Sequence, residues 1–296
     1  MNRLHAWKAS QLPHLCLDLR SPVQYHKCHL VPSTNIPFSK LTQRQAELPP
    51  KHIPMAVLEP AEIPHASDWL LQRGWTCPFV FSEDTLDWQA LIHQQLATQD
   101  KPRPWVLFQP SPFLQEQIEQ IESGLQKQKP WRCLDLGSGA GRDIGWLVST
   151  RPSWQATGFD SQPGAIQRMT QLVQSMGIQD RIQMAQVKFE HCGQWKWTSE
   201  PQPIHTYDLI LNIRFMSRAF WQKVPHLLSP GGCFVLSQFY HEEWMIYKQP
   251  KLSQRLQLGE IERVFGDMHH MEIIVNEIKK TEDGRPLQCV IVRKIK

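Results

Sequence analysis

No stretch of this chain approaches the ~20 consecutive apolar residues that a helix needs to cross a bilayer, so a helical membrane span is not expected. Cysteine is sparse: the seven are an odd number, scattered and without a C-x-x-C pair, which speaks against a disulfide frame or a zinc site and for reduced thiols in a cytosol-like compartment. Charge of one sign is also missing. The net charge is only +4 and no basic cluster interleaves with aromatics, so the electrostatic footprint of a nucleic-acid binder is lacking, although RNA is not thereby excluded. Met1 to Ser10 is short of apolar residues and has no small-residue cleavage site, so no signal peptide is read there. Taken together, these absences predict a cytoplasmic protein with no resident metal and no membrane partner. Hydrophobic content of 41% and charged content of 20% are globular values, and 296 residues exceed one average domain of ~100–200, so two cores are expected.

The most informative stretch runs from Trp131 to Leu147. Cys133, Leu134 and Leu136 form a short apolar run, three glycines alternate at Gly137, Gly139 and Gly141, and Asp143, Ile144, Trp146 and Leu147 suit a helix; the order is strand, loop, helix. Glycine tolerates positive φ and lets the backbone pass against a ligand with its N–H groups turned toward it, so an anionic group is expected to be welcome. The dinucleotide spacing G-x-G-x-x-G requires glycine at Arg142 if begun at Gly137, or at Ile144 if begun at Gly139, and neither is present.

What is present, D-x-G-x-G-x-G from Asp135 to Gly141, resembles motif I of the class I S-adenosylmethionine (SAM)-dependent methyltransferases. Downstream, Trp154 to Phe159 reads as a second strand ending in Asp160, where a carboxylate can accept charge-assisted hydrogen bonds from both ribose hydroxyls. Ser161 and Pro163 also fit a helix start, so Asp160 has a capping role open to it. The segment L-x-P-G-G at Leu228 to Gly232, ahead of a buried strand, is a second hallmark of the same enzymes. Strands at Met271 to Ile278 and Leu287 to Arg293, joined by Asp283-Gly284, predict an antiparallel hairpin. The resemblance implies an α/β fold whose C-terminal part is a seven-stranded Rossmann-like sheet ending in that hairpin. It also implies SAM as cofactor, with Asp135, Gly137, Ser138, Gly139, Gly141, Asp160, Ser161, Phe189 and Asn212 as cofactor-binding candidates.

Several family features are missing. The acid that often meets the adenine amine aligns with Lys188, which offers only donors, leaving backbone groups and Phe189. After the fourth strand, Tyr207 to Asn212, there is no N/D-P-P-Y, and Cys192 and Cys233 are not set as RNA cytosine-methylating nucleophiles would be. Arg214, Phe215, Arg218 and Tyr240 are substrate-binding candidates. Arg214 and Arg218, four apart, suit an acidic acceptor, or equally the surface or an ion pair with Asp208 or Glu242. His191, Tyr240 and His241 are available as bases and none is assigned. G-E-I-x-x-x-F from Gly259, D-G-R-P from Asp283 and I-R-F-x-x-R from Ile213 resemble the small-molecule methyltransferases that include the tellurite-resistance enzymes, and also fused rhodanese and methyltransferase proteins.

The first hundred residues carry that second resemblance. Asp18, Arg20, Tyr25, His29 and Asn35-Ile36-Pro37 match D-x-R-x-x-x-x-(aromatic)-x-x-x-H followed by N-I-P, which resembles the opening of a rhodanese domain. Rhodaneses transfer sulfur through a cysteine in the loop after the next strand; here that loop reads Glu59-Pro60-Ala61-Glu62-Ile63-Pro64-His65, so the domain is expected to be catalytically silent, with Cys77 outside the loop. The proline-rich stretch from Thr98 to Pro112 marks a boundary, yet Trp105, Val106, Leu107, Phe108 and Phe113 should be packed, and Phe113 to Gln126 reads as a covering helix or a lid. The expected domains are therefore 1–97, rhodanese-like; 98–129, connector and covering helix; and 130–296, methyltransferase. The expected activity is methyl transfer to a small-molecule acceptor such as a thiol or chalcogen. A protein or RNA acceptor presented by the first domain, and a SAM-binding regulatory pseudoenzyme, are the alternatives.

Overall fold

A computed structural model describes residues 3–101, 105–126, 129–189, 195–197, 206–245 and 247–295. The chain divides into two compact units, Met1–Gln109 and Pro110–Lys296.

The first unit holds a four-stranded, all-parallel sheet in the order β3 (Thr34–Asn35), β1 (Cys16–Asp18), β4 (Ala56–Glu59), β5 (Phe79–Ser82), plus a small antiparallel pair of β2 (His29–Leu30) and β6 (Ala97–Thr98). β1 and β4 are buried at every position, as parallel strands covered on both faces must be. One apolar cluster gathers Leu17, Leu19, Val57 and Leu70, another Leu4, Trp7, Leu58 and Phe81. Leu107 of the proline-rich stretch joins the first cluster and Phe108 is buried, while Trp105 stays 54% exposed.

The second unit is built on eight strands: β7 (Trp131–Leu136), β8 (Trp154–Asp160), β9 (Ile182–Phe189), β10 (Trp195–Trp197), β11 (Tyr207–Ile213), β12 (Leu228–Phe239), β13 (Met271–Lys280) and β14 (Pro286–Lys294). Their order is β10-β9-β8-β7-β11-β12-β14-β13. β9, β8, β7, β11 and β12 run parallel, and β14 and β13 close the sheet antiparallel. The Rossmann-like sheet with an antiparallel C-terminal hairpin is thus as expected, but the described strands number eight rather than seven. The addition is β10, a three-residue edge pairing antiparallel with β9, too short for its period to stand out in sequence. The Pro-Gly-Gly element is likewise not a turn ahead of β12 but a kink inside that twelve-residue strand: Gly231 has φ +81°, and the pairing with β11 shifts register between Tyr207 and Leu209.

Helices Pro112–Ser123, Arg142–Thr150 and Pro163–Ser175 bury one face each; the first places Phe113, Leu114, Ile118 and Ile121 inside. The chain winds outward from β7 through β8 to β9, then returns to lay β11 on the other side of β7. The strand order therefore reverses between β7 and β11, and in open α/β sheets the crevice at the carboxyl ends of such strands is where ligands bind. Among the described residues no helix is long and apolar enough to cross a membrane, and no metal-binding cluster of His, Cys, Asp or Glu occurs.

Candidate active site at the strand-order reversal

β7 ends at Leu136 and the chain turns through Gly137, Gly139 and Gly141, at φ +69°, +58° and +77°. Left-handed backbone at three alternate positions costs L-residues with a Cβ about 1–2 kcal/mol each, which is why glycine stands there. The three glycines have different neighbours. A Cβ on Gly141 would meet Met169 and one on Gly137 would meet the Phe215 ring at 2.5 Å, whereas one on Gly139 would meet nothing within 4 Å. Open space therefore lies over Gly139.

The bend does not offer its donors as the sequence suggested. Gly137 and Ser138 N–H donate to Phe159 O (2.8 and 3.0 Å), Gly141 N–H to Ser138 O (2.8 Å), and Gly139 N–H to Asp160 Oδ2 (2.9 Å). The Ser138 hydroxyl also points to Phe159 O, at 3.3 Å. The expectation of a welcome for an anion is corrected accordingly, since these four N–H groups are consumed by β8 and by the bend itself.

Charge at the site comes instead from carboxylates. Asp160 lies against the bend, its second oxygen accepting from Gln162 N–H at 2.8 Å, while Ser161 is exposed. Asp135, at the end of β7, is 3% exposed; burial first, then the charges of Asp143 and Asp160, push its carboxyl well above the ordinary range. Asp143, in the first helical turn after the bend, is also raised by burial, against the pull of the Ser111 N–H donated to it at 2.5 Å and of the Arg142 and Arg214 charges. Asp143 was not among the expected residues. An acid two positions after the last glycine was the available signal, but its partner Ser111 lies 32 residues upstream.

On the other side of the reversal, Asn212 is fully buried. Its Nδ2 donates to Phe215 O (2.6 Å) and its Oδ1 accepts from Trp221 Nε1 (3.1 Å), so the side chain is spent on the chain turn that follows β11. Gln238 Nε2 donates to the same Phe215 carbonyl at 2.6 Å. These bonds hold the Phe215 ring over Gly137 and 5.2 Å from the ring of Phe189, between the centroids. Lys188, next to Phe189, is exposed and pairs in register with Lys196 of β10.

The two arginines part company. Arg218 donates to both Glu260 oxygens and to the carbonyls of Ser253 and Arg255. Burial, the largest single influence, would raise the Glu260 carboxyl, but the Arg218 bonds together with the Gln257 N–H and the charges of Arg218 and Arg263 hold the group below the ordinary range. Arg218 is thus the anchor of the 252–260 segment, along a shallow groove of about 690 Å³ lined by Leu252, Ser253, Gln257, Glu260 and Arg263. Arg214 is exposed and has no ion-pair partner among the described residues; Asp208 is taken by Arg132 N–H. Tyr240 follows β12, half-buried against the core, and its carbonyl accepts from the Tyr247 hydroxyl. Of the possible bases, His191 lies outside the described residues, as does Cys192, and buried His241 Nδ1 has no hydrogen-bond partner among the described residues.

In the first unit Asp18 and Arg20 form a buried pair, with Arg20 also bonded to Glu83 and 4.5 Å from the Trp88 ring. The Glu59 carboxylate accepts from Ser67 N–H at 2.7 Å across the loop after β4. Cys77 is partly buried, and burial pushes its thiol up to about 11, which leaves almost no thiolate at neutral pH.

Comparison with known proteins agrees in kind with this geometry. The family model of a methyltransferase domain matches residues 127–287. A Schizosaccharomyces pombe protein described as "Uncharacterized protein UNK4.09" is 29% identical over 319 aligned positions, covering 95% of this chain and 93% of that one. Among solved structures, a SAM dependent methyltransferase from Aquifex aeolicus is 15% identical with a TM-score of 0.42, over 61% of this chain and 93% of its own. The MccD protein is 13% identical with a TM-score of 0.46, over 62% and 96%.

Proposed function

The chain belongs to the methyltransferase domain family, and on that premise we propose that it transfers the methyl group of SAM to a small nucleophilic acceptor. The observation that carries this reading is the sign of the charge at the reversal. Four of the bend's N–H groups are consumed, the Asp160 carboxylate is the side chain that reaches Gly139 N–H, the acids Asp135 and Asp143 stand at the end of β7 and in the first turn after the bend, and a Cβ on Gly139 would meet nothing within 4 Å among the described residues. A ligand bearing a sulfonium and an ammonium matches that field, and a pyrophosphate does not. When bound, SAM supplies a methyl group on a positively charged sulfur, which a thiolate or chalcogen anion displaces in line.

The protein's part is to hold the two reactants in a near-attack geometry. Asp160, already aimed by Gly139 and Gln162 N–H, has lone pairs left for the ribose hydroxyls. Asp135 would face the cationic end and Phe189 and Phe215 would provide apolar surface for the adenine and the sulfur region, with Asn212 holding the Phe215 carbonyl. An anionic nucleophile needs no base.

The first unit we read as a rhodanese-like domain without sulfur-transfer activity. The support is its parallel sheet, its Asp18–Arg20 pair and the Glu59 carboxylate, which occupies donors that a persulfide would need. The test is incubation of the whole protein with methyl-labelled SAM and a panel of thiols, chalcogen oxyanions, peptides and RNA. Transfer to small nucleophiles upholds the proposal, transfer confined to peptides or RNA replaces the acceptor class, and binding without turnover makes the protein a SAM-binding regulator.

A further inference from the structure

Three observations place the Arg214 guanidinium at the rim of the cofactor hollow. It follows β11 directly, one residue before the Phe215 that covers Gly137. Its charge acts on Asp143, opposing in small part the burial that raises that carboxyl. It also stands 5.9 Å from the centre of the Phe239 ring at the end of β12, within cation–π range. Arg285 lies 4.5 Å from the same ring, but that guanidinium is committed to Asp283 and to Gln249 O. The Arg214 guanidinium makes no hydrogen bond or ion pair among the described residues, and its backbone is fixed: φ is +54°, a left-handed value rare outside glycine, held by Arg214 N–H donating to Ser237 O at 2.8 Å. Such strain persists where the surroundings over-determine it, and here it fixes the backbone from which the exposed guanidinium projects beside Phe239.

Building on the methyltransferase reading, we propose that the acceptor carries a carboxylate or comparable oxyanion besides its nucleophilic atom, and that Arg214 holds it. A guanidinium recognises a carboxylate through two parallel N–H bonds, and the Phe239 ring offers a wall against which the acceptor's carbon skeleton packs. Arg214, rather than Arg218, is therefore the specificity residue. It adjoins Phe215 in the chain and its guanidinium stands 5.9 Å from the Phe239 ring, whereas Arg218 is bound to Glu260.

The test uses two thiols that differ in a carboxylate, mercaptoacetate and 2-mercaptoethanol, with wild type, Arg214→Gln and Arg214→Lys. Wild type is expected to favour mercaptoacetate in kcat/KM by at least tenfold. Arg214→Gln loses that ratio by at least tenfold and Arg214→Lys keeps part of it, while the dissociation constant for SAM moves less than threefold. A ligand-observed NMR titration of mercaptoacetate onto the unloaded protein reads the same site without turnover, and Arg214→Gln should weaken it at least fivefold. Equal preference for the two thiols, or unaltered mercaptoacetate binding in Arg214→Gln, overturns the proposal. Loss of SAM affinity in that variant overturns it too, by giving the arginine to the cofactor. If wild type binds no SAM, the methyltransferase reading fails instead, and the NMR titration alone decides the anion site.

Discussion

Removing the Asp160 carboxylate is the perturbation with the clearest arithmetic. In the unliganded chain its two oxygens each accept one backbone N–H, from Gly139 at 2.9 Å and Gln162 at 2.8 Å. A carboxylate has about four lone-pair sites, so two remain for the ribose hydroxyls. A hydrogen bond to a charged group contributes about 1.5–3 kcal/mol net, and part of the second is lost to the partner's own solvation. Asp160→Ala should then cost about 1.5–4 kcal/mol of binding, roughly 10- to 1000-fold in the SAM dissociation constant. Asp160→Asn should fall short of rescue, because its amide nitrogen would face the N–H of either Gly139 or Gln162. The assay is calorimetric titration with SAM and with S-adenosylhomocysteine, alongside circular dichroism and a thermal melt to establish that each variant is folded. A folded Asp160→Ala protein that binds SAM within twofold of wild type would refute the assignment of this acid to the ribose.

Burial raises the Asp135 carboxyl, so the folded state holds a proton there above the ordinary value of 3.8, and stability is lost as pH climbs through the raised value; Asp135→Asn should abolish this slope in melts from pH 4 to 8. A cationic cofactor favours the ionised form, so SAM binding should release protons and tighten with rising pH, read as a dependence of calorimetric heat on buffer ionisation enthalpy that Asp135→Asn removes. Gly139→Ala should fold at a cost of about 1–2 kcal/mol yet lose SAM affinity at least tenfold, because its methyl enters the open hollow, whereas Gly137→Ala should be less stable than Gly139→Ala in urea because Phe215 must be displaced. Arg218→Ala should destabilise by about 1–3 kcal/mol in denaturant titrations at pH 7. As Glu260 is held below its ordinary 4.5, that contribution is present above 4.5 and disappears as pH falls through the lowered value, so the two proteins should converge in acid.

What could be read in advance was local in the chain. The glycine bend and the hairpin at Asp283-Gly284 each announce themselves within a few residues, because positive φ at fixed spacing demands glycine. Asp160 was legible for a related reason: its strand ends a fixed distance from the bend that it caps. Asn212 was placed among the cofactor contacts because it ends β11, but its side chain turns into the core, where Trp221 and Phe215 O use it up. Arg214 and Arg218 are indistinguishable by pattern. Glu260, 42 residues beyond Arg218, makes that arginine a strut, while Arg214 has no ion pair among the described residues.

The bend illustrates why a motif and its chemistry must be argued separately. A glycine-rich turn at a helix start ordinarily cradles anions, since its N–H groups point outward with no partner. Here Phe159 O crosses behind the bend and takes two of those donors, Ser138 O takes a third, and Asp160 takes a fourth in front. The same backbone shape then presents side-chain charge instead of backbone dipoles. On the proposed reading that favours a cation over a phosphate, while Arg214, without an ion pair among the described residues, stands beside Phe239. The reversal in strand order fixes where a ligand goes. The spending of the donors fixes which sign it carries, and that second step rests on the register of β7 with β8, Leu136 opposite Phe159, which no spacing of glycines encodes.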